Sequence, residues 1–253
     1  MKKTKNGNAV IIVLLIVIIC LISIGIYSYF NYTKNSNNRY ENLDVTSKEV
    51  TDLLFLTRGN NDTTLFYGTD YYNIYYKEDV IKTNALNEDF KKLLAYYTLD
   101  KSLKDNSSNA TVFKAEDLKK QYITIFGEDV NYKNEDIYCN CPSKIIYISA
   151  FDNYVLDGSA GTLILEGYDN KITDARKYKE KIEIYEKVVF YVEDENTGNI
   201  SYYKDSDFKN KITEISGNEQ FKFDDYEKQY NTYKYTFVLK NDLYYFDSVE
   251  RIK

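Results

Sequence analysis

The stretch KIEIYEKVVFYVE, residues 181–193, decides the fold. Apolar side chains alternate along it at Ile182 and Ile184, then at Val188, Phe190 and Val192. A period of two over this length is the pattern of a half-buried strand. Asp194 to Asn199 follows as a turn, and Ile200 to Tyr203 returns as a hairpin partner. The C-terminus repeats the device: Tyr233 to Leu239 reads as a strand, Asn241-Asp242 as a two-residue turn, and Leu243 to Val249 as the return. Ile145 to Ser149 and Thr162 to Glu166 read as shorter strands.

Upstream of Ile137 the period is helical. Thr46-Ser47-Lys48-Glu49 is a capping box, with Val50, Leu53, Leu54 and Thr57 on one stripe and Gly59 at the stop. A second helix is expected over Asn84–Leu99, carrying Leu86, Phe90, Leu93, Leu94 and Tyr97. A third is expected over Ala115–Phe126, with Leu118, Tyr122 and Ile125 in line and Gly127 closing it. Asp100–Ala110 reads as a polar loop. Helices first and an antiparallel sheet afterwards is an α+β layout, expected as one domain over residues 43–253. There is no internal repeat of 20–50 residues.

Composition excludes whole classes of chemistry. The chain has 253 residues and no His, so imidazole-based triads, bases and zinc sites are ruled out. It has 28 Tyr, 25 Asn and one Pro, and only Arg39, Arg58, Arg176 and Arg251 among its 33 basic residues. This bias is what AT-rich coding produces, and it weakens any argument from tyrosine abundance alone. Residues 31–253 hold 30 basic against 39 acidic groups. An acidic, Arg-poor domain repels a phosphate backbone, so no nucleic-acid partner is expected.

Ala9 to Ile26 is an apolar run broken only by Cys20, Ser23 and Gly25, behind Lys2, Lys3 and Lys5. With the aromatic residues Tyr27, Tyr29, Phe30 and Tyr32 beyond it, the run is long enough for an uncleaved transmembrane helix. A cleaved secretory signal is the competing reading, with Ser23 and Gly25 as small residues near the cut. A lipoprotein signal is excluded because Val17, Ile18 and Ile19 precede Cys20, and Ile12 stands where a pilin leader carries Glu. Residues 1–30 are thus expected as a cytoplasmic tail and anchor at the plasma membrane, with the membrane contacted through residues 9–30. Residues 31–42 form a polar tether, and the domain lies outside.

Four groups of residues carry candidate chemistry. Tyr71, Tyr72, Tyr75 and Tyr76 form a row that can stack on a sugar or grip a peptide, against the plainer reading of tyrosines filling half-buried positions. Cys139 and Cys141 flank Asn140 and can close a small disulfide. The acids Glu193, Asp194, Glu195, Asp205, Asp207, Asp224, Asp225 and Glu227 are scattered, with no spacing that marks a hydrolytic pair. Asp194 to Gly198 is one place short of an EF-hand, and Gly158 to Gly161 lacks the Lys of a phosphate loop. No metal and no cofactor are expected.

The Lys-led anchor, the helix from Leu118 to Gly127, and the ending Tyr235-Thr236-Phe237 with Tyr244 to Glu250 carry a resemblance. In these the chain resembles single-anchor extracytoplasmic proteins of AT-rich, low-GC Gram-positive bacteria, with which no known activity travels. Helices before a curved antiparallel sheet are also similar to NTF2-like domains, an analogy of fold alone. The expectation is a membrane-anchored binding or interaction domain, not an enzyme, with a protein or glycan partner in the cell envelope. The alternative is a glycan-acting hydrolase that uses two carboxylates.

Overall fold

The structure is a computed structural model. It describes residues 18–19, 21–27, 39–59, 74–106, 110–127, 132–138, 144–157 and 165–252. The chain divides into two compact units. The first comprises residues 1–41 with 178–180, and its described part includes a ring contact between Tyr40 and Tyr178 at 5.4 Å. Ile18, Ile19 and Leu21 to Tyr27 are helical and exposed throughout. The rest of the expected anchor lies outside the described residues. Among those that are described, no helix is long and apolar enough to cross a membrane.

The second unit, residues 42–177 and 181–253, is α+β with large antiparallel sheets. Its strands are β1 (Glu41–Asn42), β2 (Val80–Lys82), β3 (Ala110–Lys114), β4 (Ile145–Ile148), β5 (Asn153–Asp157) and β6 (Glu166–Lys177). They continue with β7 (Lys181–Glu193), β8 (Asn199–Tyr203), β9 (Lys211–Ser216), β10 (Asn231–Lys240) and β11 (Leu243–Ile252). Its helices are α1 (Lys48–Arg58), α2 (Glu88–Thr98) and α3 (Ala115–Phe126). The large sheet runs β1-β6-β7-β10-β11-β2, of which β1 gives Asn42 to this unit. A smaller sheet runs β3-β5-β4.

The thirteen residues of β7 organise the large sheet. One edge pairs with β6 from Ile182 to Val192. The other edge is shared. Lys181 to Val188 pair with β10, and from Phe190 onward β8 takes β10's place. The sheet therefore forks, and the Asn231 side-chain amide donates to the Lys204 carbonyl at 2.9 Å across the fork. The second branch is the β8–β9 hairpin.

Side chains alternate about this sheet as the strand period requires. Ile182, Ile184, Val188 and Phe190 of β7 join Tyr233, Tyr235 and Phe237 of β10 under Val50, Leu54, Leu94, Leu118 and Ile125 of the helices. Each fully buried large side chain of this kind stabilises by about 1.5–3 kcal/mol. On the opposite face, Val189 belongs with Tyr202, Phe221 and Phe223 in a second, smaller cluster.

Local chemistry shifts several expected boundaries. Ser47, not Thr46, caps α1. Its hydroxyl accepts from the Val50 amide at 3.4 Å, while Thr46 is held by the Asp44 carboxylate at 2.8 Å. That carboxylate lies below its ordinary value because the Thr46 amide and hydroxyl stabilise its charge. Helix α2 starts four residues later than expected, at Glu88. Asn87 is its cap, accepting from the Phe90 amide at 2.7 Å, and Asn84 sits in a preceding 3₁₀ turn. Helices and strands are also interleaved rather than segregated, since β2 and β3 come between the helices. The expected loop over Asp100–Ala110 holds a 3₁₀ turn at Lys101–Leu103 and a bridge from Asp105 to Val112, and Ala110 opens β3.

Candidate functional site

Of the tyrosine row, Tyr71 and Tyr72 lie outside the described residues. Tyr75 and Tyr76 are in a helical turn, not a sheet, and are 1% and 3% exposed. Tyr75 donates its hydroxyl to the Thr57 carbonyl at 2.7 Å, and the Tyr76 and Tyr235 hydroxyls share a hydrogen bond at 2.7 Å. Their rings meet Phe90, Phe246, Phe190 and Tyr233 edge-on. These two side chains are therefore structural, and the expected ligand-facing row does not include them.

They surround a buried ion pair. Arg58, the last residue of α1, reaches Glu186 of β7 at 2.6 Å. Burial works against the Arg58 charge, but the Glu186 carboxylate beside it outweighs this, and the guanidinium is held well above its ordinary value. Burial pushes the Tyr75, Tyr76 and Tyr235 hydroxyls well up, so they stay protonated as donors.

Cys139, Cys141 and Gly158 to Gly161 lie outside the described residues. Asp194 is committed to its turn: one carboxylate oxygen accepts from the Asn196 and Thr197 amides at 2.9 Å. Those two amides lower its pKa and occupy an oxygen a cation would need. Among the described residues, no cluster of three or more acidic or thiol side chains is placed to hold a metal.

An accessible site occurs instead on the second branch of the sheet. After β9 the chain turns at Gly217, where the Glu219 amide donates to the Ser216 carbonyl at 2.8 Å. It then folds back over the sheet. Phe221 packs on Tyr202 at 4.6 Å and Phe223 on Tyr230 at 5.5 Å. Lys171 of β6 holds Asp224 at 3.0 Å, and Tyr226 donates to Thr213 of β9 at 3.1 Å. These ties leave a cleft of about 290 Å³ between β9 and the returning chain. Ile215, Phe221 and Tyr226 give it an apolar lining, with the Phe221 and Tyr226 rings stacked at 5.1 Å and 18°. Glu219, Gln220, Lys222 and Asp225 supply its polar lining, all four exposed.

Beneath this loop, Tyr202 donates to Asp169 of β6 at 2.8 Å. Burial raises the Asp169 pKa, and the Tyr202 hydrogen bond only partly opposes it.

The cleft offers a flat aromatic surface, two carboxylates, an amide and an ammonium. That set suits recognition of an amphipathic group by stacking and charge. In the sequence Asp225 stands out only as one of many acids, and Glu219, Phe221 and Tyr226 do not stand out as single residues. The available signal was the run FKFDDYEKQY, residues 221–230, in which four aromatics interleave with charge outside any strand pattern.

Comparisons with protein-family models, with curated proteins and with solved structures find no match, so a functional reading rests on this chain's own residues.

Proposed function

We propose that this chain is a binding module, held at the outer face of a membrane by residues 9–30, whose ligand sits in the cleft between β9 and residues 219–226. The observation that carries the binding part is the stacked Phe221–Tyr226 pair with Glu219, Gln220, Lys222 and Asp225 around one accessible cleft. The anchor is supported by the described helical residues from Ile18 to Tyr27. The large apolar ones among them are 48% to 69% exposed, a cost in water that a lipid environment removes. Protease added to intact cells checks the orientation: the domain should be degraded, and protection until lysis overturns it. For the cleft, nuclear magnetic resonance spectra are recorded with panels of short peptides and oligosaccharides. Shifts confined to the amides of residues 211–226 are expected, and shifts confined to other surfaces overturn the assignment.

Glu219 and Asp225 share this cleft, which keeps the hydrolase reading in play. A hydrolytic pair needs one carboxyl in a dry setting to act as acid, whereas both of these are exposed. Glycan hydrolysis lost in both Glu219→Gln and Asp225→Asn would replace the binding reading.

A further inference from the structure

We infer that the occupant of this cleft is an extended peptide carrying a basic side chain, which adds as a further strand to the free edge of β9. The inference rests on the binding reading above and gives its ligand a chemical class.

Three observations converge on it. First, among the described residues β9 pairs with β8 alone. Beyond that ladder, the one backbone bond this strand makes among the described residues is from the Glu219 amide to the Ser216 carbonyl. Its outer edge thus presents amide and carbonyl groups that a peptide can pair and a glycan cannot match in series. Lys211 and the register shift opposite Tyr202 and Tyr203 blunt the first part of that edge, and the turn takes the Ser216 carbonyl, which leaves Thr213 to Ile215 open.

Second, Thr213 and Ile215, two residues apart and so on one face, both meet the returning loop: Thr213 through Tyr226, Ile215 as cleft lining. A strand laid beside β9 directs alternate side chains to this same face, toward the cleft. At about 290 Å³ the cleft is at the lower end of the range for small-molecule sites and has room for one or two side chains.

Third, its charge balance is negative. Glu219 and Asp225 face a single Lys222, and none of the three is in an ion pair among the described residues. A Lys or Arg can lay its methylenes on Phe221 and Tyr226 while its head group meets a carboxylate.

The test uses the full chain in detergent micelles and four probes: a ten-residue peptide alternating Val and Lys, the same peptide with Glu for Lys, the Lys peptide N-methylated at alternate residues, and chitotetraose. The Lys peptide is expected to shift the 212–216 amides and the Phe221 and Tyr226 rings, and to slow exchange of alternate β9 amides. N-methylation is expected to weaken binding about tenfold, the worth of one or two lost hydrogen bonds. Glu219→Gln with Asp225→Asn, both exposed and checked for an unchanged melting temperature, is expected to weaken it roughly fivefold. Equal binding of the Glu peptide, an unaffected N-methylated peptide, or a Lys peptide bound elsewhere overturns the inference. Chitotetraose bound at residues 211–226 without the Lys peptide overturns it too but leaves the cleft as a binding site. If no probe, including the peptide and oligosaccharide panels, perturbs these residues, the binding reading falls as well.

Discussion

Arg58 Nη1 donates to Glu186 Oε2 at 2.6 Å, joining the end of α1 to the middle of β7 across 128 positions of sequence. Glu186 is fully buried and Arg58 is 7% exposed. The other Glu186 carboxylate oxygen has no hydrogen-bond partner among the described residues. An interior charge pair with one unmet valence costs desolvation that its attraction only partly returns, so its contribution is to fix the position of α1 over the sheet more than to add stability.

Breaking the pair from one side is therefore expected to cost far more than removing it whole. Arg58→Met or Glu186→Leu alone strands a buried charge, and each should lose about 3–5 kcal/mol in urea denaturation. Combining both changes should return stability to within about 1 kcal/mol of the parent or exceed it. Additive losses in the double variant would mean that the pair is a net stabiliser.

The β8–β9 hairpin makes a second expectation. A Cβ placed on Gly217 would collide with the carbonyl oxygen of Gly198 across the end of the hairpin. That atom is backbone and cannot swing away, and Gly198 itself is at φ 67°, a left-handed region that favours glycine. Gly217→Ala should cost about 1–3 kcal/mol. It should also shift the Phe221 and Tyr226 ring signals, because the loop that carries them starts at this turn. Unchanged ring signals would show that the loop is positioned independently of it.

How far the sequence carries this structure differs element by element. The ranges expected for α3 and β7 match those observed, because each shows an uninterrupted stripe or alternation with a clear stop. The Asn241-Asp242 turn is legible because these residues tolerate the positive φ values, 51° and 63°, that a tight hairpin needs. Strand β6 is not legible. Its sequence EGYDNKITDARK is polar, and it is held as a strand by eleven paired positions along β7 rather than by its own pattern. Strand β9, KITEIS, also lacks an alternating pattern and is held by its pairing with β8. The run FKFDDYEKQY stands out in the sequence, but the cleft does not, because the path of that segment is set by its contacts to Tyr202, Thr213 and Lys171 on three other strands. Tyr75 and Tyr76 were legible as an aromatic cluster but not as core, since a tyrosine row reads alike whether its hydroxyls meet water or buried partners.

Lys104 lies over the Tyr96 ring at 4.2 Å. Burial, aided by Lys101 and opposed by Asp100, lowers its pKa to about 8. A carbon-13 titration of the Lys104 side chain should show a midpoint near 8, and one near 10.5 would contradict the assignment. The native state holds fewer protons than the unfolded state between these values, so this group's contribution to stability should rise as pH increases through that window. Lys104→Met should remove that rise.

Asp169 gives a pH dependence of the opposite sense. Burial raises its pKa above 3.8, while the hydrogen bond from Tyr202 at 2.8 Å lowers it in part. Below 3.8 the carboxyl is protonated in both folded and unfolded chains and contributes no penalty. As pH rises above 3.8 the unfolded chain ionises first. The native state then binds more protons, and stability falls until the folded-state pKa is passed. Above the folded-state pKa the fold carries the full cost of this buried charge. Asp169→Asn keeps an acceptor for Tyr202 and removes the charge, so it should gain in melting temperature against the parent at pH 7 and show little gain at pH 3. Tyr202→Phe removes the offsetting hydrogen bond and should push the Asp169 titration, read from its carboxyl carbon, further upward. Because Tyr202 also packs on Phe221 at 4.6 Å, the Phe221 ring signal should move with that titration. An Asp169→Asn gain equal at both pH values would show that the carboxyl is solvated in the folded chain, and would remove the link between its charge and the cleft wall.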